Sequence, residues 1–309
     1  MSAKFAPHGR RTAPRFGRED TERAHSVCDD RSMPRFGFVY NPTNDLAQET
    51  WDEAAGWCAT HGVESWGLPA EDQASIKSEL PGTDLLISMG GDGTFLRAAA
   101  AVAGSDIPLL GINLGKVGFL ARAEAFQLDQ TLSALVVGAW KRQPRMALRA
   151  VIERLGGGRE ELSALNDVVI ARGRLPRVLR LDVAVGESHL ATYIADGVVL
   201  SSPTGSTGYS FSAGGPVLDP SSRNIIVTPI AAYLATLRSV VVAPSQGVTC
   251  TLVQGDDAVV SVDGWVDQVI GVGDRVTVTE SQEPIQFIEL PGLAPFWDLV
   301  RQKVELLPR

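Results

Sequence analysis

The sequence has few of the residues that build metal sites or disulfide frameworks. Its three cysteines, Cys28, Cys58 and Cys250, form no Cys-x-x-Cys pair, and its four histidines lie far apart along the chain. Structural zinc sites need closely spaced Cys and His ligands, and disulfide scaffolds need many paired cysteines. We therefore predict three reduced thiols in a cytoplasmic protein, and no metal site built from these side chains.

Long apolar runs are also missing. No segment approaches the roughly 18 apolar residues of a membrane-spanning helix, and the N-terminus has no apolar core of a secretory signal. Residues 1–33 are instead rich in Arg, Pro, Gly and Asp. Such a composition buries little surface and predicts a disordered tail. We expect a protein that does not act at a membrane.

Basic residues do not outnumber acidic ones. The 28 Lys and Arg residues stand against 36 Asp and Glu residues, which gives a formal net charge of -8. Duplex binding relies on clustered cations that neutralise phosphates, so this balance argues against a nucleic-acid-binding protein. A phosphate ligand must then be held locally by backbone N–H groups, a few basic side chains or a metal ion.

Two different patterns divide the chain. In residues 34–145, short apolar runs such as Phe36–Tyr40 and Asp84–Met89 alternate with helical spacing, which predicts a doubly wound α/β domain with a mostly parallel sheet. Residues 146–284 hold many short alternating runs between Gly, Asp and Pro turns, which predict a mostly-β, sandwich-like domain. Residues 285–309 are predicted to return to the α/β domain.

The first stretch with chemical content is Gly90-Gly91-Asp92-Gly93-Thr94, between a predicted strand and a helix predicted to start at Thr94. Glycines let a phosphate approach the backbone, and the N-terminus of the following helix attracts anions. A carboxylate among them would repel phosphate unless it orients an attacking hydroxyl, accepts its proton or holds Mg²⁺. The structural alternative is a tight turn in which Asp92 caps the helix.

A second stretch, Asp196 to Pro216, interleaves small hydroxyl residues and glycines with Tyr209 and Phe211. Its structural alternative is a flexible linker. A linker does not usually follow a strand as apolar as Val198–Leu200. Hydroxyls and amides that bond base and ribose edges, beside a ring that offers a stacking face, suit a nucleotide pocket.

A third stretch places Asn166 and Asp167 directly before an apolar run. An Asn-Asp pair at the start of a strand is commonly a turn. Its functional interpretation is that the side-chain amide and carboxylate together clasp the vicinal hydroxyls of a ribose.

Together and in this order, the three stretches resemble the NAD kinases of bacterial type. The double-glycine Asp motif is shared with diacylglycerol and sphingosine kinases and with phosphofructokinases, whereas the stretch from Asp196 to Pro216 is far more specific. Gly111–Leu120 and Ser261–Gly264 add to the resemblance, which covers about residues 35–306. It implies phosphorylation of the 2′-hydroxyl on the adenosine ribose of NAD, with ATP or polyphosphate as donor, a divalent cation such as Mg²⁺, and a homodimer or homotetramer.

The resemblance also implies roles for individual residues, with Asp92 as the proton acceptor. Positions 91 to 97 would meet donor phosphates, positions 166 and 167 the ribose, positions 204 to 212 the adenosine, and position 196 the nicotinamide end. The expected substrate-binding residues are Gly91, Gly93, Thr94, Arg97, Phe119, Asn166, Asp167, Arg177, Asp196, Thr204, Thr207, Gly208, Tyr209, Ser210 and Ser212.

The chain departs from the family pattern at three places. Ala231-Ala232-Tyr233 replaces a frequent Cys-Pro-His, Trp265 replaces a common Gln, and Gly208 stands where Ala is frequent. Trp cannot accept a hydrogen bond, so a contact at position 265 is lost or becomes stacking. None of these changes removes the core chemistry.

Two other functions stay open at this point. A lipid kinase of the diacylglycerol or sphingosine type would keep Gly90–Thr94 but would have no use for the hydroxyl-rich stretch, and it calls for a membrane-facing surface. A non-catalytic nucleotide sensor needs no base beside a phosphate, so Asp92 argues against it. Since a dinucleotide is too long for either stretch alone, we predict that Gly90–Thr94 and Asp196–Pro216 face each other across a cleft between the two domains.

Overall fold

The computed structural model describes residues 33–305 apart from 116–117, 175–176 and 234–236. The tail predicted to be disordered, residues 1–33, lies outside the described residues except for Met33. Cys58 and Cys250 are free and buried, and burial raises the pKa of these thiols to about 11 and about 12. Among the described residues, no helix is both long enough and apolar enough to cross a membrane.

The described residues form strands and helices that are numbered here in chain order. They are β1 (Arg35–Tyr40), α1 (Asp45–His61), β2 (Glu64–Pro69), α2 (Gln73–Glu79), β3 (Leu85–Gly90), α3 (Asp92–Val102), β4 (Leu109–Asn113), β5 (Ala123–Glu124), α4 (Leu128–Val136), β6 (Lys141–Arg145), β7 (Leu148–Glu153), β8 (Arg159–Ala164), β9 (Asp167–Arg172), β10 (Leu179–Val185), β11 (Ser188–Ala195), β12 (Gly197–Ser201), α5 (Tyr209–Ser212), β13 (Ile225–Ile230), β14 (Val240–Val242), β15 (Val248–Gln254), β16 (Ala258–Val262), β17 (Val266–Ile270), β18 (Arg275–Glu280), β19 (Ile285–Glu289) and α6 (Phe296–Glu305).

The first domain is built on a mostly parallel sheet with strand order β2-β1-β3-β4-β19-β6, and β5 also pairs with β4. Helices α1 and α4 pack on one face of this sheet, and α2 and α3 pack on the other. The central strand β3 is buried along its whole length, as expected for a parallel strand covered on both faces. The predicted doubly wound α/β architecture is confirmed.

The second domain consists of two antiparallel sheets that share one core. Their strand orders are β11-β10-β15-β18-β7-β8 and β14-β13-β12-β9-β16-β17. Buried side chains from both sheets, such as Leu148 and Leu181 in one and Ile170 and Val260 in the other, belong to a single apolar cluster. Alternating apolar positions on short strands fill the space between two sheets, so the predicted sandwich is confirmed.

The predicted return of the C-terminal segment to the first domain is also confirmed. The returning segment begins with strand β19, which lies between β4 and β6 in the first sheet. It pairs parallel to β4 and antiparallel to β6. Ile285, Phe287 and Ile288 of β19 are buried in the first domain. Helix α6 follows β19, and the carboxyl end of β3 leads into α3 at the edge where open α/β sheets bind ligands.

Candidate active site

The glycine turn connects β3 directly to α3, which begins at Asp92 rather than at Thr94 as predicted. A Cβ at Gly90 would lie 2.4 Å from Thr94 Oγ1, so the buried Thr94 leaves no room for a side chain there. A Cβ at Gly91 or Gly93 would meet no atom within 4 Å. The turn therefore has an open side, where an anion can approach the first N–H groups of α3.

The Asp92 carboxylate is held by three backbone N–H groups from another segment. Phe119 N donates to Oδ2 at 2.9 Å, and Leu120 N and Ala121 N donate to Oδ1 at 3.0 and 3.3 Å. Gly118 has to be glycine, because a Cβ would lie 2.0 Å from Asp92 Oδ1. The N-cap of α3 is Gly91, with no side-chain cap bond. The alternative in which Asp92 caps its own helix is therefore wrong.

Asn166 and Asp167 are fixed by Asp263, which lies 96 positions or more further along the chain. The Asp263 carboxylate accepts hydrogen bonds from Leu165 N and Asn166 N at 2.8 Å each and from Asp167 N at 3.1 Å. Asp263 has a left-handed φ of 49°, a conformation that Asp tolerates better than most residues. The backbone before β9 is thus held at three consecutive amides.

The carboxyl groups of Asp167 and Asp263 are both buried and close enough to interact. Burial raises the pKa of Asp263 to about 6, although its three amide donors oppose the shift. Burial, together with the neighbouring Asp263 charge, raises the pKa of Asp167 to about 7. Burial thus favours the neutral form of both carboxyl groups, and the three amide donors favour the ionised form of Asp263 only.

The stretch before Pro216 is folded rather than a flexible linker, so the linker alternative is wrong. Residues 202–216 of this stretch are called the wall below. Residues 204–207 form a short 3₁₀ turn that leads into α5. Ser202 Oγ donates to Leu165 O at 2.6 Å. A Cβ at Gly205 would lie 2.2 Å from Asn166 O. The wall therefore packs directly against the backbone that carries Asn166.

Two buried acceptors in this region have no partner within the described part of the chain. They are Asn166 Oδ1 and Thr204 Oγ1. Buried polar atoms are nearly always satisfied, so each of these oxygens suits a donor from a bound molecule. Tyr209 is 46% exposed and leaves its ring available. Ser210 is buried, and its hydroxyl lies 3.2 Å from Thr228 Oγ1, so it already has a protein partner.

Leu165 links the second domain to the core of the first domain. It belongs to the buried apolar cluster that contains Phe95 of α3 and Leu120 of the loop holding Asp92. Its carbonyl accepts the Ser202 hydroxyl, and its N–H donates to Asp263. The Asn166–Asp167 pair and the wall are thus connected to the core that also contains α3, the helix after the glycine turn.

The two arginines among the expected substrate-binding residues already have carboxylate partners. Arg97 Nη1 lies 2.9 Å from Glu71 Oε1, and both side chains are partly exposed. Arg177 Nη1 lies 3.0 Å from Asp256 Oδ2 on the surface. Exposed pairs of this kind are weak, so neither arginine is held strongly by its carboxylate partner.

Asp196 and the replaced residues 231–233 lie at the other end of β12, whereas Trp265 and Gly208 lie at the end near Asp167. Asp196 Oδ1 accepts a hydrogen bond from Arg172 Nε at 2.8 Å. Ala231, the first of the three replaced residues, has a left-handed φ of 47°. Tyr233 is largely exposed, and Trp265 is partly exposed beside the Asp263 turn. A ring at position 265 is therefore available for stacking.

Sequence reasoning missed the residues that hold the site together. In the sequence, Asp263 was considered only as part of the match of Ser261–Gly264 to the family pattern. Asp-Gly between two apolar runs is nevertheless a turn signal. Gly118 and Leu165 carried no signal of their own, because their contacts are with Asp92 and Ser202, far away in the sequence. The contacts of α6 with Phe119 were not predicted either.

Comparisons with known proteins agree with this geometry. The model of the ATP-NAD kinase N-terminal domain matches residues 19–139, and that of the C-terminal domain matches residues 165–290. NAD kinase of Heliobacterium modesticaldum is 36% identical over 282 residues, which is 88% of this chain and 99% of that protein. NAD kinase of Natranaerobius thermophilus is 38% identical over 281 residues, 88% of this chain and 98% of that protein.

Solved structures show the same fold. Yeast NADH kinase complexed with NADH has a TM-score of 0.78 at 24% identity, covering 90% of this chain and 88% of that one. An NAD kinase from Archaeoglobus fulgidus in complex with ATP has a TM-score of 0.70 at 25% identity, covering 89% of this chain and all of that one (100%). The two domain models match both halves of the chain, and the two NAD kinases align over nearly their full length. The chain therefore belongs to the NAD kinase family.

Proposed function

We propose that this enzyme transfers the terminal phosphoryl group of ATP to the 2′-hydroxyl on the adenosine ribose of NAD and so makes NADP. The observation that carries the proposal is the Asp92 carboxylate, fixed by three amides beside the open side of the glycine turn. Family membership supports it and does not favour a lipid kinase or a non-catalytic sensor.

In the proposed reaction, the ribose oxygen forms a bond to phosphorus while the bond from phosphorus to the ADP oxygen breaks. Asp92 orients the hydroxyl and accepts its proton. Asp92 Oδ1 accepts two backbone amides, whereas Oδ2 accepts one and keeps a second lone pair for the hydroxyl proton. Asn166 Oδ1 and Thr204 Oγ1 accept donors of the ribose and the base, and Asp167 bonds a ribose hydroxyl.

The residues fit a divalent cation such as Mg²⁺ that arrives with ATP. Mg²⁺ prefers oxygen ligands and binds through few carboxylates plus substrate phosphates and water, and Asp92 is a carboxylate beside the open side of the turn. When bound, the ion neutralises charge on the transferred phosphoryl group. Because the turn offers backbone N–H groups to the phosphates of either donor, polyphosphate can take the place of ATP in this proposal.

We also propose that the protein assembles as a homodimer or homotetramer in the cytoplasm. Ile194, Val241, Val253 and Val269 are exposed apolar side chains on strands of the second domain. Single exposed apolar side chains are common on monomers as well, so the proposal rests on the resemblance to the bacterial-type NAD kinases. Sedimentation equilibrium of the full chain measures the number of subunits, and a monomer at micromolar concentration would contradict the proposal.

The test is NADP formation by the full chain with ATP, Mg²⁺ and NAD, compared with the Asp92→Asn variant. Loss of a general base lowers turnover by about 10²- to 10⁴-fold, and we expect NAD binding to change little. Asp52→Asn is the matched control, because Asp52 is an exposed aspartate further along α1 whose side chain accepts a hydrogen bond from Gln48. Equal turnover of the Asp92 and Asp52 variants would remove Asp92 from the mechanism.

A further inference from the structure

Helix α6 covers the loop that holds Asp92. The Lys303 ammonium lies 4.4 Å from the centroid of the Phe119 ring, and the Phe296 ring lies 6.2 Å from it in a tilted arrangement. Phe119 is the residue whose N–H donates to Asp92 Oδ2. Two side chains of α6 therefore contact Phe119, the first of the three consecutive residues whose N–H groups donate to the Asp92 carboxylate.

The same helix reaches the second domain. Trp297 Nε1 donates to Asp219 Oδ2 at 3.2 Å, and Asp219 follows the wall that ends at Pro216. Just before α6, the Ala294 carbonyl accepts a hydrogen bond from Arg122, which follows the Asp92-holding loop. Leu299 is 6% exposed and anchors the helix. Helix α6 is thus fixed at several points other than Lys303.

We propose that α6 is a positioning element for Asp92, in which Lys303 and Phe296 hold Phe119 so that the three amides stay on the carboxylate. The proposal rests on the proposed function for the role of Asp92. Its physical basis is that Leu120 and Ala121 are buried in the first domain, whereas Phe119 is only half-buried and its ring contacts α6. A site residue needs support from neighbours whose own positions are fixed, and α6 supplies that support from both domains.

Lys303→Met in the full chain tests the contact, because Met keeps an apolar stem and removes only the cation. We expect hydrogen exchange of the amides at 119–121 to become about threefold to thirtyfold faster, the factor that corresponds to one cation–π contact. We expect kcat to fall by a similar factor while KM for NAD stays the same. Lys303→Arg keeps a cation over the ring and should restore both values.

Lys77→Met is the matched control, since Lys77 is an exposed lysine on α2. Exchange at 119–121 that is equal in the Lys303 and Lys77 variants would overturn the proposal, whatever the turnover. Exchange that changes without any change in kcat would overturn the positioning role. If Asp92→Asn stays active, the proposed function fails instead, and the exchange measurement still decides whether α6 holds the loop.

Discussion

At the residue scale, the Asp92 carboxylate accepts three backbone hydrogen bonds and, in the proposed reaction, the proton of the ribose hydroxyl. Its replacement should therefore affect both stability and turnover. Asn has one acceptor oxygen and an NH₂ group where Asp92 has two oxygens. The NH₂ group would therefore face a backbone N–H that now donates to Oδ2 or Oδ1 of Asp92. An unsatisfied buried donor costs about 1 to 3 kcal/mol. Asp92→Asn should therefore lower the free energy of unfolding as well as turnover, and its kinetics must be measured on a sample shown to be folded.

The buried Asp167 and Asp263 predict a pH dependence of stability. Because their pKa values are raised to about 7 and about 6, the folded chain binds more protons than the unfolded chain above the ordinary Asp value of about 3.9. The contribution of these two groups to the free energy of unfolding should be fully present below a pH of about 3.9 and should fall as pH rises through about 7.

Asp167→Asn removes the ionisation and should flatten that dependence. Relative to the unsubstituted chain, we expect a gain at pH 8 on the order of 1 kcal/mol or more, as one pKa unit corresponds to about 1.4 kcal/mol. Urea unfolding at pH 5 and pH 8 measures it. Asp263→Asn should instead destabilise the chain at both pH values, because its carboxylate accepts three amides. An unchanged slope in Asp167→Asn would contradict the assignment.

At the scale of elements, the wall depends on how closely Gly205 approaches the residues before β9. Gly205→Ala would place a Cβ 2.2 Å from Asn166 O, a backbone atom held in place by Asp263. We expect a loss of about 1 to 3 kcal/mol from overpacking, together with weaker NAD binding as Asn166 is displaced. Thermal unfolding and NAD titration measure the two effects.

Gly208→Ala is the matched control in the same wall. Its Cβ would have Gly205 O at 3.3 Å as its nearest neighbour, a milder contact than the 2.2 Å at Gly205. We expect a smaller loss of stability and of NAD affinity than in Gly205→Ala. If the two alanine variants lost stability equally, the close approach at Gly205 would not be what shapes the wall.

At the scale of the whole molecule, the first domain is discontinuous in sequence. Strand β19 supplies the partner of β6 and buries Phe287 in the first domain, so residues 33–145 alone should not fold. The chain leaves and re-enters this domain at adjacent points, since Ser281 N donates to Ala147 O at 2.8 Å. Residues 146–281 should therefore fold alone with a cooperative transition.

A fusion tests this arrangement directly. Residues 33–145 joined to residues 282–305 through a short Gly-Ser linker should give a cooperative thermal transition by circular dichroism, which residues 33–145 alone should lack. The same linker carrying a scrambled 282–305 segment is the control. A cooperative transition in residues 33–145 alone would show that β19 is dispensable for the fold.

The local features of this protein follow from its sequence. Apolar β3, the glycine turn and Ala-rich α3 are consecutive, so strand, turn and helix could be predicted together. The alternating runs of the second domain likewise predict a sandwich, because periodicity is a local property. Helix α3 begins two residues earlier than predicted, since Gly91 ends the turn as the N-cap.

Only the tertiary structure decided what surrounds Asp92. The amides of 119–121, Asp263 under Asn166, and Lys303 over Phe119 all join residues far apart in sequence. Strand β6 was not predicted because it contains charged residues and Pro144. An edge strand tolerates proline, because one row of its N–H groups needs no partner. Long-range pairing leaves no local pattern, so the sequence determined which groups react and the fold decided which groups hold them.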